Sequence, residues 1–404
     1  MRLFNKIFQG DRVIWMVIAM LTLMSLMAVY SATGTYANVR YEGNNTYVLL
    51  RHAVTLLLGL GAVYVTHLLK YTYYSRLFQI AFWISVPLLA YTLFFGADIN
   101  EAQRSIHIYG VSFQSSDFAK VALIGYLARE LAVRQNEIKD FKTAFVPLML
   151  PVLVVVGLIF PENFSTAGIL FASCMVLLFV GRINMKYLMV FFACALVAMS
   201  IYIIIVLNVA EDKGRTGAWG QRIESFVGKF KSDEGKTEEE IAREENEEDF
   251  QALQSKIAIA GGGLIGKAPG RSTQRNYLPH PYSDFIFAII VEEYGLLGGA
   301  FVVMLYLILL YRAIRIIVMK PQSFGGFVAF GLAFMIVMQA MVNMGVATGI
   351  FPVTGQPLPF VSMGGTSLLF TGCAFGVILS VSKEINNNNN NESNNELATT
   401  ESDN

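Results

Sequence analysis

Uninterrupted apolar runs, several of them 18 residues or longer, restrict this chain more than any other feature. A helical run of that length crosses the roughly 30 Å hydrocarbon core of a bilayer. In lipid only helices and closed barrels satisfy every backbone N–H and C=O, and these runs lack the two-residue alternation of barrel strands. The chain is therefore read as an all-α polytopic membrane protein. Composition agrees: 54% of the 404 residues are hydrophobic and 15% are charged, against roughly a quarter charged in a soluble protein. A formal net charge of zero argues against a nucleic-acid partner.

About ten transmembrane helices are expected, near 13–31, 47–69, 77–96, 115–133, 144–160, 167–182, 187–209, 284–311, 324–348 and 363–382. The first is too long for the apolar core of a signal peptide and is read as an uncleaved anchor. Asp117, Lys120, Arg129 and Glu130 interrupt the fourth. The expected divisions are a cytoplasmic N-terminus at 1–12, seven helices over 13–209, one large extracytoplasmic loop at 210–283, three helices over 284–384, and a disordered Asn-rich tail at 385–404. Lys and Arg set the orientation. The connections of one side carry fourteen, from Arg2 to Lys383, whereas the short loops of the other carry only Arg40 and Arg104. Both termini are thus expected in the cytoplasm. Within the large loop, the acidic run 238–249 reads as a solvated insert. Trp219, Arg222 and Phe226 have the spacing of a helix lying on the membrane surface.

The stretch 251–295 concentrates the unusual chemistry. It passes through Gly261, Gly262, Gly263, Gly266 and Gly270 and enters an apolar run at Asp284, with Glu292 and Glu293 further along. Carboxylates beside or inside hydrocarbon are costly and mark functional sites. Asp284 reads either as a helix cap shared with Ser283 or as a general base at the water–lipid boundary. On one continuous helix Glu292 lies about 12 Å deeper than Asp284 and on the side nearer to it, with Glu293 pointing away. Of the two, Glu292 is the one expected to face the same cavity, and either acid can instead pair with a buried cation, Lys120 being a candidate. The glycines with Lys267 lack the order of a phosphate loop, so they read as a flexible turn or a re-entrant bend. Arg104 suits a phosphate clamp or a headgroup contact. Cys174, Cys194 and Cys373 read as packing residues, and no cluster has metal-ligand spacing. Under the expected topology, Asp117, Lys120, Arg104, Asp284, residues 162–166 and residues 351–367 all map to the outer leaflet, and chemistry or binding is expected there.

Several multi-residue motifs then resemble a known family. Residues 254–259, Gly266-Lys267, Thr273-Gln274, Leu278-Pro279, Asp284-Phe285-Ile286-Phe287-Ala288, Glu292-Glu293 and Gly295 look like a signature of the SEDS proteins, FtsW and RodA. Residues 355–367 resemble their second signature and 113–120 a third. The resemblance implies a peptidoglycan glycosyltransferase that polymerises lipid II, an undecaprenyl-pyrophosphate-linked disaccharide-peptide, in the cytoplasmic (inner) membrane. It further implies a class B penicillin-binding protein (a transpeptidase) and other divisome proteins as partners. Asp284 matches the family's catalytic acid. Arg104, Lys120, Lys267, Arg271, Glu292, Ser362, Gly364, Gly365 and Ser367 become candidate substrate-binding residues. No resident cofactor is implied, although a divalent cation (Mg or Mn) can share the neutralisation of the leaving pyrophosphate. Departures from the pattern are His280 in place of Glu, Pro161-Glu162-Asn163-Phe164-Ser165-Thr166 in the fifth outer segment, Asp117 in place of Glu and Met363 in place of Tyr. The 281–283 entry and the polar tail point to the FtsW, or division, branch. The competing classes are a lipid II flippase, which predicts lipid movement without polymer, and a divisome scaffold indifferent to replacement of Asp284.

Overall fold

A computed structural model describes the backbone of residues 9–34, 44–95, 97–99, 102–108, 111–209, 247–279 and 281–402. Seven helices precede the large connection: α1 (Arg12–Ala32), α2 (Asn45–Leu68), α3 (Tyr71–Phe95), α4 (Ser115–Val133), α5 (Val146–Ile159), α6 (Phe164–Val180) and α7 (Met185–Val209). The connection ends in a helix not anticipated from the sequence, α8 (Glu247–Gly262). There follow α9 (Ile286–Met319), α10 (Phe324–Ala347) and α11 (Gly365–Ser402). Between α3 and α4 the strands β1 (Ala97–Ile99), β2 (Ala102–Ile108) and β3 (Val111–Phe113) form a small antiparallel sheet, also unanticipated, with Asp98 opposite Gln103 and His107 opposite Ser112. Residues 210–246, with most of the acidic run and the 219–226 segment, lie outside the described residues, as does His280.

Six of these helices, and α5 together with the π-helical turn Phe141–Phe145 that leads into it, are long and apolar enough to cross a membrane, so the chain is an integral membrane protein. Helix α10 is central and buried almost all round, between α9, α4, α6 and α11. Lipid supplies no hydrophobic drive between helices, so close backbone approach through small residues matters instead. Gly372 on α11 is one such point: a Cβ there would lie 2.4 Å from the Gly59 carbonyl of α2. The charges that interrupt α4 are paired within its own turns. Lys120 Nζ meets Asp117 Oδ1 at 2.8 Å, and Glu130 takes Arg129 at 2.6 Å and Arg134 at 2.9 Å. Paired in this way, they let α4 sit inside the bundle.

Two expectations are corrected. Helix α11 runs on to Ser402 through the Asn-rich tail, where disorder was expected; extending an existing helix avoids the cost of nucleation. The run 284–311 is not one straight span. At 34 residues, α9 would be about 51 Å long if straight, well beyond the bilayer core. Its backbone leaves the helix at Gly295 (φ 70°, ψ −174°). A Cβ on Gly299 would lie 2.8 Å from Val291 Cγ2 and 3.4 Å from Phe287 Cζ. On a straight helix those residues would be separated by about 12 and 18 Å. Residues 286–294 therefore turn back against 296–319 as a short re-entrant limb, buried throughout but for half-buried Tyr294.

The direction of this limb follows from α1. Arg312 pairs with Asp11 at the start of α1, and Ser31 at its end donates to Glu293. The span of α9 is thus antiparallel to α1, and Glu293 is level with the end of α1. Mid-α1, Ser25 donates to the Val361 carbonyl at 2.8 Å. The neighbouring Ser362 bonds Ser283. Ser25 is seven residues before Ala32, which sets the Ser283–Asp284 turn about 10 Å below the end of the bundle. The expected order is reversed: Asp284 is the deeper acid, and Glu292 lies toward the rim.

Candidate active site

Asp284 is half-buried on the turn that leads into the re-entrant limb. The capping position belongs to Phe285, whose side chain offers no cap, so this limb starts without the side-chain cap expected there. Ser283 Oγ donates to Asp284 Oδ1 at 2.8 Å. The backbone around it is held from two directions. Asn343 Nδ2 of α10 donates to the Asp284 carbonyl at 2.8 Å and to the Gln356 carbonyl at 2.7 Å. Ser362 Oγ donates to the Ser283 carbonyl at 2.6 Å and accepts from Leu358 N at 2.8 Å, while Met363 N donates to the Tyr282 carbonyl at 2.9 Å. The segment 351–364 thus clamps the turn. It is itself fastened by Gln356, whose amide reaches Asn163 Oδ1 at 3.2 Å and Thr166 Oγ1 at 2.7 Å at the start of α6. Ser25 and buried His52 (Oγ–Nε2 2.8 Å) support Val361 from the other side.

One helical turn from Asn343, Gln339 connects the 351–364 segment to α4. Lys120 Nζ donates to Gln339 Oε1 at 3.3 Å, and Gln339 Nε2 donates to the Pro357 carbonyl at 3.1 Å. Lys120 and Asp117 are both buried, and Asp117 Oδ2 and Asn343 Oδ1 have no hydrogen-bond partner among the described residues. Unmet acceptors of this kind are uncommon in a finished core. The result is a buried Lys120–Asp117 pair fastened through Gln339 to the same 351–364 segment that clamps the Asp284 turn. Beside it, Gly365 at the start of α11 faces open space, for a Cβ there would meet nothing within 4 Å.

Glu292 belongs to a second cluster. It is fully buried and accepts from Lys267 Nζ at 2.7 Å, Ser272 Oγ at 2.5 Å, and Thr273 N and Oγ1 at 3.0 and 2.8 Å. Glu293 accepts from Ser272 N at 3.1 Å, and Arg275 ties the same loop to the Ser31 carbonyl at 3.1 Å. The expected Lys120–Glu292 pair does not form. Lys120 has Asp117 three residues away, and the cation for Glu292 is Lys267, brought by the loop. Lys267 is accordingly engaged by Glu292 and Thr273 rather than free for a phosphate.

The glycines explain how that loop reaches α9. A continuous helix would bond Leu296 N to the Glu292 carbonyl and Leu297 N to that of Glu293. Instead those carbonyls accept from Lys267 N (2.9 Å) and Ala268 N (3.1 Å), and those amides donate to Gly263 (2.9 Å) and Leu264 (3.3 Å). The 262–268 strap therefore fills the gap that the break at Gly295 opens. Backbone at membrane depth must be satisfied within the protein, and here it is.

Of the predicted site residues, the structure gathers Asp284, Lys120 and Ser362, with Gly364, Gly365 and Ser367 on the adjoining start of α11. Lys267 and Glu292 form the separate cradle. Arg271 is exposed on the strap loop, and Arg104 lies on β2 with its side chain outside the described residues. Among the described residues no group of three His, Cys, Asp or Glu could hold a metal. Gln339, Asn343 and Gln356 were missed. Two amides four apart in an otherwise apolar span are the signal that would have found the first two.

The fold and this buried polar site define a polytopic helical membrane protein with an acid mounted on a re-entrant turn. The chain belongs to the FtsW/RodA/SpoVE family, whose model, described as "Cell cycle protein", matches residues 11–387. It is 30% identical over 386 residues to the probable peptidoglycan glycosyltransferase FtsW of Geobacter sulfurreducens, covering 94% of this chain and 97% of that one. It is 31% identical over 381 residues to stage V sporulation protein E of Bacillus subtilis, covering 92% and 97%. Two solved structures share the fold. The Thermus thermophilus rod shape determining protein RodA has TM-score 0.64 at 24% identity, covering 93% of this chain and 97% of that one. A chain from a peptidoglycan synthase complex has TM-score 0.70 at 21% identity, covering 93% of this chain and 98% of that one.

Proposed function

We propose that this protein is a peptidoglycan glycosyltransferase of the division branch, polymerising lipid II at the outer face of the cytoplasmic membrane with both termini in the cytoplasm. Relatives named as glycosyltransferases support the activity. The excess of Lys and Arg in alternate connections supports the orientation. The observation that carries the mechanism is the position of Asp284: half-buried, on a turn clamped by Asn343 and Ser362.

Asp284 takes the proton from an acceptor sugar hydroxyl, whose oxygen forms the new bond to the donor's anomeric carbon. The bond from that carbon to the pyrophosphate oxygen breaks, and the anomeric centre inverts. Lys120 is engaged by Asp117 and Gln339, so it braces the wall of the site; a divalent cation travelling with the pyrophosphate would supply positive charge for the leaving group. A class B penicillin-binding protein is the proposed partner, in keeping with the synthase complex that shares the fold.

The test incubates purified protein with lipid II, with and without that partner. Wild-type protein forms glycan strands and Asp284→Asn loses at least a hundredfold in rate while its melting temperature is kept. Retained polymerisation by Asp284→Asn overturns the assignment, and lipid movement across vesicles without polymer would favour a flippase.

A further inference from the structure

At the end of the bundle opposite Asp284, a groove of about 520 Å³ lies between α3 and α4. It is lined by Thr72, Tyr73, Ser75, Arg76, Gln79 and Arg129. His67, at the end of α2, bonds the Gln9 carbonyl just before α1 and fixes which end this is. Thr72, Ser75, Arg76 and Gln79 recur at three- and four-residue spacing, so one face of α3 presents hydroxyls, an amide and a guanidinium to Arg129.

The charge of this groove is not balanced from within. Arg76 is exposed and has no acidic partner among the described residues. Arg129 donates a single bond, to Glu130, and Glu130 is shared with Arg134. A guanidinium has five N–H donors, so most of the donor capacity of Arg129 is unspent. Beyond the polar level, Phe82 of α3 stacks on Tyr126 of α4 with ring centroids 4.3 Å apart and closes the groove. Along the lipid side of α3, Leu77, Ile80 and Ile84 form an exposed apolar strip that starts at the groove.

We propose that this groove binds the headgroup of a phospholipid of net negative charge, its phosphate between Arg76 and Arg129 and one acyl chain along Leu77, Ile80 and Ile84. Two cations matched to a phosphate favour an anionic over a zwitterionic lipid. The apolar strip favours a lipid over a soluble phosphate. This site is separate from the one that holds Asp284.

The test uses delipidated full-length protein in detergent and native mass spectrometry. Phosphatidylglycerol, phosphatidylethanolamine and inorganic phosphate are the probes. Phosphatidylglycerol is expected to bind most tightly. Arg76→Gln and Arg129→Gln each weaken it about fivefold, and the pair about twentyfold, whereas Arg76→Lys and Arg315→Gln, which lies outside the lining, change it less than twofold. Equal binding by parent and Arg76→Gln overturns the proposal, as does equal weakening by Arg315→Gln, which would mean diffuse surface charge. Inorganic phosphate binding as tightly as the lipid would reassign the groove to a soluble anion. Arg76 is exposed, so its single variant keeps the test available if the double variant does not fold.

Discussion

Gly266 and Gly295 meet backbone to backbone: a Cβ on the first would lie 2.5 Å from the amide nitrogen of the second, and a Cβ on the second 2.6 Å from that of the first. Both also have positive φ. Gly266→Ala and Gly295→Ala must therefore push strap and helix apart and expose the main-chain groups paired there. Unmet buried groups cost about 1–3 kcal/mol each, so both variants should melt well below the parent and lose activity. Gly263→Ala provides the contrast. Its φ is also positive, but its Cβ would meet nothing within 4 Å, so only the backbone penalty of about 1–2 kcal/mol applies. Thermal unfolding in detergent that ranks Gly263→Ala as the most harmful would refute the strap.

Lys267→Met should destabilise more than Glu292→Gln. The first leaves the fully buried Glu292 carboxylate without its cation, at about 3 kcal/mol or more. The second keeps an acceptor for Ser272 and Thr273 and leaves a cation that is one-third exposed to water, at about 1–2 kcal/mol. A double-mutant cycle should show coupling between the two, and additive losses would mean that the pair is not formed.

Asn343→Leu should lower the rate of glycan synthesis more than it lowers the affinity for lipid II. The amide holds the Asp284 and Gln356 carbonyls and so sets where the acid sits. A change confined to KM, with kcat preserved, would place Asn343 in substrate binding instead.

With the native cysteines replaced, a membrane-impermeant maleimide should label Ile265→Cys on intact spheroplasts but reach Lys139→Cys only after lysis. Both positions are exposed. The opposite pattern would invert the proposed topology and with it the face at which Asp284 works.

The helices were legible in the sequence because hydropathy is a local property, and described helices overlap all ten expected runs. The break in α9 was not, because apolar residues continue on both sides of Gly295. What makes the break tolerable is hydrogen bonding from a strap some thirty residues earlier, which no local pattern records. The same limit explains Lys120. Its neighbour Asp117 was visible at three-residue spacing, yet depth inferred from an unbroken helix sent the pairing to Glu292. Asp284 was legible because an acid at the mouth of an apolar run stands out, whereas the amides that hold it sit mid-span in α10.

The sunken position of the Asp284 turn, about 10 Å below the end of α1, has a consequence for the bilayer itself. A sugar carried on a prenyl chain must drop beneath the headgroup plane to reach that carboxylate, and membrane thickness fixes how far it drops. Turnover should therefore rise in short-chain lipids and fall in long-chain ones, which makes acyl length a control on wall synthesis.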